Sequence, residues 1–557
     1  MIEHSDDDAL LSVVIAARNA GRWIDEALDS LLAQGPSVAE VLVVDNGSTD
    51  DTAERVAAAA RSDPRVRLLV STAPTAAAAR NEGVAAATGE YLAFADADDI
   101  VPDGAYAAML ASLEASGSDV VIGDHLKFSA TRTWSPTRRW YRFDEVVRAA
   151  APEAVPELLS GRACWNRVFR RSAWDRMGLW FPEVQSVEDI QPMTRAFVEA
   201  RSIDIVPQCV YLYRDRGDTT SLSLRADAAG TVRYLEQELA CAVAVSGSPV
   251  LRAQHAMVVL DADGWAHLHR FLLTDPDAVA MATVARATAA LAAALPVDLL
   301  RDVAPARRAL WALVLQGDWP AARSFVLGEA STIATERIGA WIDAVARASR
   351  AEPDIAETLA RDGLVPTLVN TAEEVDPVWL AHRLPAVAVV VPPSGAVLAD
   401  AMTAAVGMRD PDGVRAVSAL RHVVPLMVDR VEVTATGLVI GGPVDLVARG
   451  LRATVLLADT DANEHAVAVF ADGARWRAEV LAERVTSGRH RVSVSFAGVD
   501  GRFPVVTARM PLPPVADTVP MQPLADRKDG WRFLVDRRTP ERPGLGSLLA
   551  RIARRLR

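Results

Sequence analysis

The sequence predicts an α/β fold, built on a parallel sheet, for roughly the first 225 residues, then a helical region and a terminal β domain. Three observations carry this. Short apolar runs alternate with helix-length segments up to about residue 100; long helical runs fill the middle; and after Pro425 the hydrophobic period drops to two. A chain of 557 residues exceeds what a single core supports, so several domains are expected.

Leu10 to Ala17 is a continuous apolar, β-branched run of the kind a strand buried on both faces shows. The turn Arg18-Asn19-Ala20-Gly21 leads into a helix whose Ile24, Ala27, Leu28, Leu31 and Leu32 share one face, and Gly35-Pro36 stops it. Val41 to Val44 repeats the strand pattern and ends in Asp45-Asn46-Gly47-Ser48-Thr49-Asp50; a helix follows through Ala60. Val66 to Val70 is a third strand, Thr75 to Ala87 an Ala-rich helix, and Tyr91 to Ala95 a strand running into Asp96, Asp98 and Asp99. Strands alternating with helices imply a parallel sheet covered on both faces, whose carboxyl edge is where ligands sit.

Three acids in four positions directly after a buried strand repel one another unless a cation or donors compensate. Hard oxygen donors suit Mg²⁺ or Mn²⁺ alongside substrate phosphates. The alternative is that these residues cap the helix that follows, where Asp is favoured.

Four motifs in order carry a family resemblance. They are Val13-Val14-Ile15 with Asn19; Val43-Val44-Asp45-Asn46-Gly47-Ser48-Thr49-Asp50; Ala79-Arg80-Asn81-Glu82-Gly83; and Gly89-Glu90-Tyr91 through Asp99. The first 225 residues or so resemble the family 2 glycosyltransferases of the GT-A fold. The resemblance implies transfer of a sugar from a UDP-sugar to an acceptor hydroxyl, with Mn²⁺ or Mg²⁺ as cofactor. It places Asp45 at the uracil, Arg80 and Asn81 against the nucleotide, and Asp96 and Asp98 as the DxD pair, Asp98 being the direct metal ligand. Where the family usually shows Pro-x-Tyr-Asn, this chain has Ala16-Ala17-Arg18-Asn19, so Ala16 and Arg18 take the place beside the base, with the Arg18 plane in the role of the missing aromatic.

Further along, Ser186-Val187-Glu188-Asp189-Ile190 resembles the ED motif that supplies the base in inverting members, which points to Asp189 with Glu188 as its neighbour or substitute. A helix-capping carboxylate pair is the competing reading. Tyr211 to Ser221 resembles the segment closing the catalytic domain, whose basic residues reach the diphosphate in relatives; Arg214 and Arg216 are the candidates. Ahead of the ED motif lies Arg132 to Arg142, where Arg and Trp interleave in a manner suited to an anionic, polyhydroxylated acceptor, or to a plain surface loop.

The organisation expected is a catalytic domain over 1–225, a helical linker over 226–424, a β-sandwich over 425–540 and a basic amphipathic tail over 541–557. That layout is similar to the polyribitol-phosphate glycosyltransferases of wall teichoic acid, which suggests a polyol-phosphate or other cell-surface glycopolymer acceptor and oligomerisation through the β domain. A capsule or exopolysaccharide enzyme with an uncharged acceptor, and a non-catalytic glycan-binding scaffold, are the rivals. A net charge of −13 argues against nucleic-acid binding. Three scattered cysteines and an acidic start without a leader pattern suggest the cytoplasm, and the tail suits either an anionic membrane surface or a helix docked on the β-sandwich.

Overall fold

The computed structural model describes residues 11–72, 75–216, 226–444, 446, 451–507, 521–527 and 530–535. The tail over 541–557 and the turn from Gly217 to Ser221 lie outside the described residues. Two compact units, Met1–Arg323 and Ser324–Arg557, divide the chain, so the helical stretch expected over 226–424 contributes to both.

In the first unit the strands are β1 (Leu11–Ala17), β2 (Val38–Asp45), β3 (Val66–Val70), β4 (Tyr91–Asp96), β5 (Val120–Phe128), β6 (Thr133–Trp134), β7 (Val147–Ala150), β8 (Arg167–Arg170) and β9 (Ile203–Arg214). Their order is 3-2-1-4-8-5-9-7, with β6 beside β5. Strands β3, β2, β1 and β4 are mutually parallel, as the apolar runs imply. The sheet is mixed beyond β4: β8 pairs antiparallel with both β4 and β5. Strand β8 is not marked by any apolar run in the sequence. Its Arg167, Val168 and Phe169 are buried, and Arg170 reaches out to the Ser118 and Leu113 carbonyls, so four residues suffice to bridge two longer strands.

Helices α1 (Ile24–Leu32), α2 (Thr52–Ser62), α3 (Ala76–Ala86), α4 (Ala105–Ser116), α5 (Arg171–Arg176) and α6 (Ile190–Glu199) accompany these strands. In α1 the expected face is the buried one, through Ile24, Ala27, Leu28 and Leu31. The Thr75 hydroxyl caps α3 by accepting from the Ala78 amide at 3.2 Å, and Gly83 lets that helix sit on β1, since a Cβ there would lie 2.3 Å from Val14 Cγ1. Strand order reverses at β1, whose neighbours β2 and β4 lie on either side, so a crevice opens at their carboxyl ends. Register sets Ala16 opposite Asp96 on one side and Ala17 opposite Asp45 on the other.

Five more helices complete this unit: α7 (Ala228–Ala244), α8 (Pro249–Asp261), α9 (Asp263–Leu273), α10 (Ala278–Ala292) and α11 (Pro305–Leu315). Side chains of Asp227, Ser248 and Asp277 cap three of them, and Pro at the first position starts α8 and α11.

The second unit carries further helices, then a sheet of ten strands among the described residues, eight in one continuous path and two off it, nearly all antiparallel. Alternating burial along Arg475–Leu481 and Gly488–Phe496 matches the period-two pattern that marked a β domain. No described helix is long and apolar enough to cross a membrane.

Candidate active site

Two loops close the crevice, and they fasten each other. After β1, Asn19 takes φ 53°, its amide donates to the Ser48 hydroxyl at 2.9 Å, and its side-chain oxygen accepts from the Thr49 amide at 2.8 Å. The Gly21 amide donates to Asp50 and the Ala20 amide to the Thr52 hydroxyl, at 3.0 and 2.8 Å. Most of the motif from Asp45 to Asp50 thus holds the shape of its neighbour. Asp45 itself is buried and accepts from the Ser48 amide at 3.0 Å, while Asn46 lines the crevice.

The crevice is a cavity of about 530 Å³ bordered by Ala16, Arg18, Arg80, Asp96, Asp98, Glu188 and Arg216. Seven of the eleven residues singled out from sequence therefore share one wall. Arg80 is its centre. Lying on α3 and almost fully buried, it donates to Asp96 at 2.8 Å and pairs with Glu188 through its other terminal nitrogen, so it joins the strand-end acids to the ED segment.

Asp98 is gripped by Arg216 at 2.5 Å. Burial raises the Asp98 carboxyl above its ordinary range and the nearby Asp96 adds to the shift, against the opposing pull of Arg216. Asp99 is raised well above the usual range by burial, then by Asp96 and Asp98; one oxygen accepts the Arg214 amide at 2.7 Å, while the other is buried without a hydrogen-bond partner. Arg214 borders the acids from behind: its Nε donates to the Asp98 carbonyl at 2.7 Å, its tip pairs with Glu26, and its guanidinium stacks 4.4 Å from the Trp23 ring.

Asp189 begins α6 but makes no side-chain cap with it. Burial, reinforced by Glu188 and Asp96 against the opposing Arg80, pushes its carboxyl up to about 7. The residue before the pair, Val187, sits at φ 59°, a conformation costly for a β-branched side chain, which the surrounding loop imposes as it turns Glu188 toward Arg80.

Asn81 does not border the cavity. Both ends of its amide are engaged by the Phe181 backbone, at 2.7 and 2.9 Å, which pins the loop approaching the ED segment. Sequence reading passed over Trp23, Asn46, Thr75 and Gln185, all of which line the wall. Trp23 carried a signal: it is the first aromatic after the strand where the usual one is missing.

A divalent cation suits this donor set. Asp96 and Asp98 offer only oxygen, both border the cavity, and the mutual repulsion of the acids is what a cation relieves, so the residues fit. Among the described residues, the one tight trio of ligand-type side chains lies elsewhere, at Glu238, Cys241 and His255. There Arg162 already engages both Glu238 oxygens at 2.6 and 2.7 Å, which makes it an ion-pair cluster.

An α/β sheet with acids at its switch point defines a nucleotide-binding class of fold, and comparison with known proteins specifies which. The family model for glycosyl transferase family 2 matches residues 12–178, ending before the ED segment. GlyG of Streptococcus pneumoniae serotype 4, a glycosyltransferase, is 35% identical over 221 residues, 37% of this chain and 71% of that one. The glycosyltransferase EpsJ of Bacillus subtilis is 29% identical over 215 residues, 37% of this chain and 61% of its own length. The succinoglycan biosynthesis protein ExoO of Rhizobium meliloti is 29% identical over 231 residues, 39% of this chain and 64% of that protein. Among solved structures, S. aureus TarS 1–349 in complex with UDP-GlcNAc superposes with a TM-score of 0.47 at 20% identity, covering 57% of this chain and 90% of that one. The chain belongs to glycosyl transferase family 2.

Proposed function

We propose that the chain is an inverting glycosyltransferase that moves a sugar from a UDP-sugar to a hydroxyl of a cell-surface glycopolymer. The observation that carries this reading is Arg80, which pairs with both Asp96 and Glu188 at the wall of one cavity. Donor acids joined to the segment that carries Asp189 are what a direct displacement needs, since donor and acceptor must meet in line.

Asp189 is the base. A carboxyl held near 7 is ionised in useful proportion at neutral pH and still basic enough to take a proton from a sugar hydroxyl as its oxygen attacks the anomeric carbon. Glu188, paired with Arg80, fixes the loop and orients its neighbour. Asp96 and Asp98 would hold Mg²⁺ or Mn²⁺, which when bound supplies positive charge at the departing diphosphate. Arg216, paired with Asp98, is the guanidinium placed to bind phosphate oxygens of the donor. Asn46, Arg18 and Trp23 furnish polar and aromatic surface for the base, with Asp45 beneath.

The polymer acceptor is supported by relatives named for polysaccharide synthesis, such as ExoO. The cytoplasmic face of the membrane, where such donors are made, is the proposed location, and assembly of copies through the β domain is part of the same reading. A screen of nucleotide-sugars for thermal stabilisation, with and without Mn²⁺, tests the donor: a UDP-sugar should stabilise in a cation-dependent way that Asp98→Ala abolishes. Stabilisation by another nucleotide-sugar alone contradicts it.

A further inference from the structure

We propose that a second cavity in the first unit binds a neutral segment of a sugar chain. It has a volume of about 350 Å³, within the ~300–1,000 Å³ of small-molecule sites, and shares no residue with the wall around Arg80. Arg139 and Trp140, from the Arg/Trp-interleaved loop, form one side; Asp261, Asp263, Trp265 and Arg307 form the other.

The two indoles are held in place. Trp140 leans on Gly161, where a Cβ would meet its ring at 2.8 Å, and the Arg307 guanidinium stacks 4.6 Å from the Trp265 ring. Rigid aromatic faces beside carboxylates and guanidinium groups suit the C–H faces and hydroxyls of pyranose rings. The charges decide between neutral and anionic chains. Arg307 is paired with Asp261 at 3.3 Å and Asp263 with Arg162 at 2.8 Å, which leaves Arg139 as the sole uncompensated charge of the wall. A phosphate would meet two carboxylates there, whereas hydroxyls both donate to carboxylates and accept from guanidinium.

The cavity is also tied to the catalytic framework. Arg162 links Asp263 to Glu238 on α7, and the Cys241 thiol on the same helix lies 3.7 Å from the Ile190 carbonyl, next to Asp189. A chain held here is held by the scaffold that carries the base. This inference rests on the glycosyl-transfer reading only in taking that chain to be the acceptor.

The test uses the full chain, titrated calorimetrically with cellopentaose, maltopentaose, chitopentaose and, as the anionic arm, a glycerol-phosphate oligomer, with and without saturating UDP. The expected result is saturable binding of at least one neutral oligosaccharide, equal in both conditions, weakened at least about tenfold by Trp265→Ala and by the exposed Arg139→Ala. Failure of all three neutral probes, preference for the phosphate oligomer, competition by UDP, or indifference to both substitutions overturns it. If UDP fails to bind while the oligosaccharide does, the donor assignment falls and this one stands.

Discussion

Two acids of the first unit, the half-buried Asp189 at the start of α6 and the fully buried Glu238 on α7, have opposite fates. Glu238 is fully buried, yet its carboxyl is lowered to about 2: burial would raise it, but Arg162 and His255 overcome that cost with bidentate and ring-nitrogen contacts. Asp189 has acidic neighbours and shares a single guanidinium with two other acids, so burial prevails and its carboxyl rises to about 7. A satisfied acid is cement; an under-compensated one keeps its proton within reach of chemistry.

Removing charge at the two positions should therefore have opposite consequences. Asp189→Asn should cut transfer by ~10²–10⁴-fold while UDP still binds, as measured by single-turnover transfer beside calorimetry. Asp98→Ala should follow, with a loss of ~10²–10³-fold and of cation-dependent donor binding. Glu238→Gln should leave the buried Arg162 with only the more exposed Asp263 as its charge partner and destabilise the unit by ~3–5 kcal/mol in denaturant unfolding. The smallest effect sharpens the contrast most. Because the folded carboxyl of Asp189 lies above its unfolded value near 3.8, the wild type loses stability as pH rises between these values, and Asp189→Asn should melt higher than wild type above pH 7 but equally near pH 3. Equal melting at pH 8 would mean the carboxylate is already well paired.

The contrast also explains what the sequence could reveal. Strands β1, β2 and β4 and the acids after β4 were legible because burial on both faces leaves uninterrupted apolar runs that end where the chain meets solvent. Strand β8 was not, since a four-residue bridge between longer strands has too few positions to show a period. Arg80 and Asn81 adjoin in one motif, yet one faces the cavity and the other grips Phe181; adjacent helical positions point about 100° apart, and no spacing reveals which faces the ligand. The Arg162–Glu238–His255 cluster was invisible because its members come from distant segments whose meeting only tertiary packing decides. Trp23 stood in view but was passed over, since the family's aromatic sits on the strand and this one begins the next helix.

The central claim is that Asp189, held near 7, takes the acceptor proton, and the pH dependence of kcat/KM tests it most directly. The account predicts a rate that climbs about tenfold per pH unit at low pH and levels off near pH 7, with that limb absent from the residual activity of Asp189→Asn. A flat profile between pH 5 and 8, or an unchanged limb in the variant, would contradict it.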